Sequence, residues 1–360
     1  MKTFVFLLCI LLAGQIGAAV NQSADRAWAH LEALKKGPGI PQKNAPTETI
    51  HRARTHLMTQ ERALADFLTR FPTDPRRFKA ELEFCAVTAS LGAALADRNR
   101  IETSIRRLDH LEKSEFTPSP IRAEAGFQRI TTTMQTVNLA AATHPKETVA
   151  ARKIILQSAQ NFAARYPEDR RAARLLTEAS TLFDDLPSQK RRVLEQAETI
   201  ATDEGTRQRI RDDLRRLDLL GKPLKLKFTT WQGQEFDLQA QAGRIVILIF
   251  WASWSPPSMV WLTQFAKYAT ELPTGRVVVA TISLDQKKSE ANAALQALRM
   301  TNWPTRWTGE GWDGEVVRRM GINALPTVFI CDGQGRLRSL NARTTYRSTL
   351  PQLLEEERQP

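Results

Sequence analysis

Two serines, Ser255 and Ser258, bracket a Pro256-Pro257 pair at the end of a tryptophan-rich run, Phe250-Trp251-Ala252-Ser253-Trp254. Hydroxyls placed this way have two uses. One is acyl transfer, which needs a neighbouring general base to activate the oxygen. The other is structural: Ser is favoured at a helix N-cap and Pro at the first helical position, so Ser-Pro-Pro-Ser starts a helix with no chemistry at all. All five histidines (His30, His51, His56, His110 and His144) lie in the N-terminal region. A Ser–His pair would have to form across domains, so capping is the simpler reading and a serine hydrolase is not expected.

Thiol chemistry has little to draw on. The chain carries three cysteines, Cys9, Cys85 and Cys331. Cys9 lies in the N-terminal apolar run described below. Cys85 sits beside Phe84 and Val87 in a helical stretch, and Cys331 follows Val328-Phe329-Ile330. Free Cys in such company behaves as a small hydrophobe, which makes both inert core thiols; a Cys85–Cys331 bridge is the alternative. Neither has a histidine at ligand spacing, so no metal site is expected. The stretch Gly309-Glu310-Gly311-Trp312-Asp313-Gly314 is glycine-rich but acidic and has no lysine, which makes it a surface loop and not a phosphate cradle. No cofactor is expected.

Which elements must position these residues? The chain has 360 residues, enough for two domains, with 42% hydrophobic and 25% charged residues, an ordinary globular composition. Its formal charge of +12 suits an anionic partner such as lipid or cell-wall polymer, or simply a solvated basic surface. Arginine pairs recur (Arg76-Arg77, Arg106-Arg107, Arg170-Arg171, Arg191-Arg192, Arg215-Arg216), but acidic residues separate them, so no nucleic-acid footprint is expected. At the start, Lys2, an apolar run from Phe4 to Leu12 and the small residues Gly17-Ala18-Ala19 have the pattern of a secretory signal, assigned to residues 1–19. The run is shorter than the ~20 apolar residues a bilayer span needs. The mature chain is therefore expected to be exported, periplasmic or extracellular, without an integral membrane span; an uncleaved anchor is the alternative.

Residues 20–220 are helical in character, rich in Ala, Leu, Arg, Glu and Gln. Apolar residues recur three and four apart, as in Ala63, Phe67 and Phe71 or Leu175, Ala179 and Phe183. Prolines mark the corners. Phe71-Pro72-Thr73-Asp74 is echoed by Tyr166-Pro167-Glu168-Asp169, with a fainter copy at Phe116-Thr117-Pro118. The pattern is similar to the corner of tetratricopeptide-like hairpins: a helix ends on a buried aromatic, Pro stops it, and Asp caps the next helix. Stacked hairpins or an irregular bundle both satisfy it.

At Gly221 the pattern changes. Leu224 to Phe228 alternates like a strand, Gln232-Gly233-Gln234 reads as a hairpin turn, and Ile245 to Phe250 is a β-branched run suited to a strand buried on both faces. A helix from about Pro256, a strand at Val277–Ile282, a helix at Ser289–Met300 and a strand at Thr327–Ile330 follow. Residues 221–360 are thus expected to form an α/β sandwich with parallel central strands. Seven of the eight tryptophans fall between Trp231 and Trp312, which sets this part apart.

The run from Phe250 to Ser258 resembles the active-site segment of the TlpA/ResA-like thioredoxins, aromatic–Trp–Ala–x–Trp–Cys–Pro–Pro–Cys. Gly221-Lys222-Pro223 is similar to that family's domain opening, and Gln232-Gly233-Gln234 and Gly243-Arg244 to its approach to the central strand. Ala324-Leu325-Pro326-Thr327 resembles the loop whose proline is cis in the family, and Asp332 to Arg336 the turn after it. The resemblance covers about residues 221–356 and says nothing of residues 21–220. It implies a thioredoxin-like fold, export, a cis Leu325–Pro326 bond, and a loop that takes an extended segment by β-addition.

The departure lies in the serines. In the family the first thiol sits at a helix N-terminus, where the dipole favours the thiolate, and the second resolves the mixed disulfide. A serine hydroxyl neither ionises at neutral pH nor forms that exchangeable bond. The reading is therefore an exported, redox-inactive thioredoxin-like protein with no catalytic residue. It would bind a protein or extended peptide at the face of Trp254, Ser255, Pro256, Pro257, Ser258, Leu325 and Pro326, with a further partner on the N-terminal helices, or act as a scaffold. Trp251 is expected in the core. The alternative is a TlpA/ResA-type thiol–disulfide oxidoreductase working through Cys331, Cys85 or a partner's thiol.

Overall fold

The computed structural model of the chain describes residues 22–37, 46–140, 145–300, 302–343 and 345–357. The signal assigned to residues 1–19, Cys9 and the proline-containing break from Pro38 up to Pro46, which itself starts a helix, lie outside them. Packing divides the chain into two units, Met1–Tyr166 and Pro167–Pro360.

The first unit is helical: α1 (22–34), α2 (Pro46–Arg70), α3 (Arg77–Leu95), α4 (Arg98–Lys113), α5 (Ser119–Ala140) and α6 (Pro145–Arg165). From α2 to α6 each helix packs on the next, and α3 also meets α5. Phe67 and Phe71 close one core with Leu31 and Leu64, as their helical spacing requires. Prolines do not mark every corner. Between α3 and α4 the chain turns at Ala96, in the left-handed region (φ 55°), and Asp97 caps α4 by accepting from the Arg100 N–H at 3.3 Å. Gly92 is needed there, since a Cβ would lie 2.8 Å from the Ile101 side chain.

Two details of the aromatic–Pro–x–Asp corner differ from expectation. Asp74 is not the N-cap of α3; Arg76 is. A turn closed by the Arg77 N–H on the Asp74 carbonyl (3.0 Å) comes first, so the carboxylate faces back into the corner. There it accepts from the Arg76 backbone N–H (2.8 Å) and from both ends of its guanidinium (2.9 and 2.7 Å). Asp169 holds Arg171 in the same way, at 3.0, 2.9 and 2.8 Å. The faint copy lacks the buried aromatic altogether: Phe116 is 89% exposed, because α4 has already ended at Lys113 and Thr117 turns inward instead.

The second unit begins with α7 (Arg171–Ser180), α8 (Pro187–Ile200) and α9 (Glu204–Leu219). A two-stranded hairpin follows, β1 (Lys227–Thr229) and β2 (Glu235–Asp237). Then come β3 (Ile245–Trp251), α10 (Pro256–Ala269), β4 (Val277–Ser283), α11 (Lys288–Ala297), β5 (Thr305–Trp307), α12 (Glu315–Arg319), β6 (Thr327–Cys331), β7 (Leu337–Ser339) and α13 (Tyr346–Glu356). The five-stranded sheet has the order β5-β4-β3-β6-β7. Its centre is only partly parallel: β3 and β4 run together, while β6 is antiparallel to β3. A short hairpin then joins β6 to β7, again antiparallel. The sheet is therefore mixed: the expected parallel pairing holds for β3, β4 and β5, and β6 and β7 depart from it.

The composition changes at Gly221, yet α7 to α9 pack in the unit that holds the sheet. Contacts of α9 explain why. Asp213 on α9 is buried, pairs with Arg216 and accepts from Asn323 Nδ2 at 2.9 Å. Arg216 Nη1 in turn donates to Asn323 Oδ1 at 3.1 Å, and Arg215 Nη1 to the Arg318 carbonyl at 2.5 Å. Gly321 lies so close that a Cβ there would stand 2.2 Å from the Asp212 carbonyl oxygen. The linker Leu220–Leu224 also adds to the edge of β7, through the Gly221 N–H to Leu337 O (2.8 Å) and the Leu337 N–H to Lys222 O (3.0 Å).

Candidate functional site

Strand β3 carries the site. Its seven residues, Ile-Val-Ile-Leu-Ile-Phe-Trp, are all buried, and it lies between β4 and β6. Apolar side chains on both faces make it rigid, so the loop leaving it is held from a fixed point. Phe250 pairs with Thr327 of β6. The loop after β3 and the Ala324-Leu325-Pro326 loop before β6 therefore meet at the same end of the sheet. The Leu325–Pro326 peptide is cis.

Ser255 is the N-cap of α10, with Pro256 and Pro257 in the first turn. Its oxygen accepts from the Ser258 N–H at 3.4 Å and from the Ser258 hydroxyl at 3.0 Å. Ser255 is 6% exposed and Ser258 is fully buried. The buried Ser258 hydroxyl thus spends its proton on Ser255 beneath the surface. Histidine is missing from residues 145–360, so the second unit supplies no imidazole base for either oxygen.

The loop between β3 and α10 rests on a buried carboxylate that the sequence does not announce. Trp251 pairs with Ser283 in parallel register, and the Leu284 N–H donates to the Trp251 carbonyl at 2.8 Å. Continuing that register places Asp285 beside Ser253. Asp285 is fully buried and accepts from the Ser253 N–H (3.0 Å), the Ser253 hydroxyl (2.6 Å) and the Ser283 hydroxyl (2.7 Å). The Trp307 indole N–H donates to its backbone carbonyl at 2.7 Å. A buried carboxylate needs such donors, and here they tie the loop from β3 to the end of β4.

What reaches solvent is apolar. Trp254 is 50% exposed, Pro256 and Pro257 are exposed, and Leu325 is half-buried beside the buried Pro326. Trp312, in the loop read as glycine-rich surface, joins this face: it is 42% exposed and its ring centroid lies 6.3 Å from that of Trp254. Only its glycine neighbours hinted at an exposed turn, and nothing in its spacing pointed to Trp254. Trp251, by contrast, is fully buried in the core.

The described thiols are remote from chemistry. Cys85 and Cys331 are both free and buried. Burial, helped by the negative charge of Glu81, pushes the Cys85 thiol up to about 12. Burial and the Asp332 charge push Cys331 up to about 12 as well. No group of His, Cys, Asp and Glu among the described residues is arranged to hold a metal ion. No described helix is long and apolar enough to cross a membrane.

Residues 243–337 match the family described as thioredoxin-like. The thiol:disulfide interchange protein DsbE of Yersinia pestis is 27% identical over 142 residues, which are 37% of this chain and 72% of that protein. Among solved structures, a thiol-disulfide oxidoreductase from Bacteroides fragilis is 20% identical, covering 36% of this chain and 98% of its own, with a TM-score of 0.33. StoA from Bacillus subtilis is 24% identical, covering 33% of this chain and 87% of its own, with a TM-score of 0.28.

Proposed function

We propose that the thioredoxin-like domain in the C-terminal region of this chain is an exported binding module that does no dithiol chemistry of its own. One observation supports the reading: Ser255 and Ser258, the residues that the resemblance matches to the two thiols, cap α10 and share a hydrogen bond of 3.0 Å. The exposed Trp254, Pro256, Pro257 and Trp312, with the half-buried Leu325, supply apolar contact for an extended polypeptide. The backbone of the Leu325–Pro326 loop supplies edge hydrogen bonds, which β-addition requires and cysteine does not. The apolar run from Phe4 to Leu12 supports export.

The relative from Yersinia pestis is named for thiol–disulfide interchange, which favours an oxidoreductase as the second reading. That reading needs Cys85, Cys331 or a partner's thiol, and the two buried thiols, with ionisation pushed to about 12, argue against the first two routes. A disulfide-reductase assay separates the readings. The wild-type chain is expected to be silent and a Ser255→Cys/Ser258→Cys variant active, while both bind an unfolded carboxymethylated polypeptide. Wild-type reductase activity would overturn the binding-only reading.

A further inference from the structure

Between α3 and α4 the first unit opens into a groove of about 420 Å³. Its floor is apolar, made by Phe78 and Leu111. Its walls carry three arginines, Arg77 at the start of α3 and Arg106 and Arg107 on α4, with His110 one turn on. Glu81 is the acid that lines it, and that carboxylate is already engaged. Arg107 grips it with Nε at 2.5 Å and Nη2 at 2.8 Å.

The other cations are less committed. The Arg77 guanidinium lies 4.3 Å from the centroid of the Phe78 ring and has no carboxylate partner among the described residues. A guanidinium held over a ring still has N–H groups to offer an acceptor. Arg106 reaches Glu102 only at 4.0 Å and donates to Thr103 Oγ1 at 2.9 Å. His110 is exposed on the rim. Positive charge thus stands over an apolar floor, in a concavity with room for one large side chain.

We propose that this groove docks an acidic segment of a partner polypeptide. A large apolar side chain rests on Phe78 and Leu111, and flanking carboxylates meet Arg77 and Arg106. The shape favours a peptide over an anionic membrane: a flat lipid surface would touch the cationic rim and leave the floor between the helices unfilled. The site is independent of the face around Ser255.

The test uses the full chain and a fluorescein-labelled Glu-Glu-Phe-Glu-Glu peptide, read by anisotropy. Binding is expected, weakening with salt because the pairs are solvent-accessible. An Arg77→Gln/Arg106→Gln variant should lose about tenfold in affinity or more. Replacing Phe by Ala or Glu by Gln in the peptide should weaken it too, while Arg52→Gln on α2, an exposed cation elsewhere, should not. Unchanged thermal melting of the double variant shows that it folds. The proposal fails if the peptide does not bind, or if Arg52→Gln weakens binding as much as the double variant. It fails equally if phosphatidylglycerol vesicles, and not the peptide, lose binding on the double substitution.

Discussion

The Ser253 hydroxyl donates to the Asp285 carboxylate at 2.6 Å, across an interval of 32 residues. Ser283 donates to the other carboxylate oxygen at 2.7 Å. Asp285→Ala would take the acceptor from the buried Ser283 hydroxyl and from the half-buried Ser253 hydroxyl and N–H. The expected loss is about 3 kcal/mol, seen in urea unfolding, since hydrogen bonds to a buried charge are worth roughly 1.5–3 kcal/mol. Asp285→Asn keeps one acceptor oxygen and should lose less. Equal losses in the two variants would mean that the hydrogen bonds are not what matters.

Trp254 should matter for binding and not for folding. Half its surface is in water, so Trp254→Ala is expected to change stability by no more than about 0.5 kcal/mol. Affinity for an unfolded carboxymethylated polypeptide should fall about tenfold, as for an aromatic anchor. Trp312→Ala, at the neighbouring ring, should weaken binding in the same direction. Retained affinity in both variants would remove this face from the proposed function.

The thiols offer a pH signature. Cys85 and Cys331 hold their protons in the folded state to about 12, against an ordinary 9.0. Below 9.0 both states are protonated and the stabilising difference is fully present. As pH rises from there toward about 12 the unfolded chain ionises first, so stability should decline across that window. At about pH 8, where ordinary thiols react, the folded protein should resist Ellman's reagent and react only when unfolded in guanidinium. Fast labelling of either cysteine in the folded chain would restore the oxidoreductase reading.

Gly321 has φ +64° and its Cα faces the Asp212 carbonyl of α9. Gly321→Ala should cost about 2 kcal/mol or more, from left-handed strain together with the clash. Asn323→Ala, which takes away two partners of the buried Asp213–Arg216 pair, should cost a similar amount. A chain starting at Gly221 should then unfold at lower urea than one starting at Pro167. Equal midpoints would make residues 221–360 an autonomous domain.

The sequence by itself determined the elements. The β-branched run at Ile245, the Ser-Pro-Pro cap at Ser255, and the alternating and helical periods are local facts, since backbone geometry and capping act over a few residues. The cis bond before Pro326 was legible only through family resemblance. Tertiary structure alone decided the rest. Asp285 became the anchor of the Ser253 loop because parallel pairing of β3 and β4 sets residues 32 apart side by side. Trp312 joined Trp254 because separate loops end at one edge, and α7 to α9 joined the sheet because Asp213, Arg216 and Asn323 bury a polar network together. Such pairings cost loop-closure entropy and are repaid only by burial in the finished fold, so no window of sequence contains them.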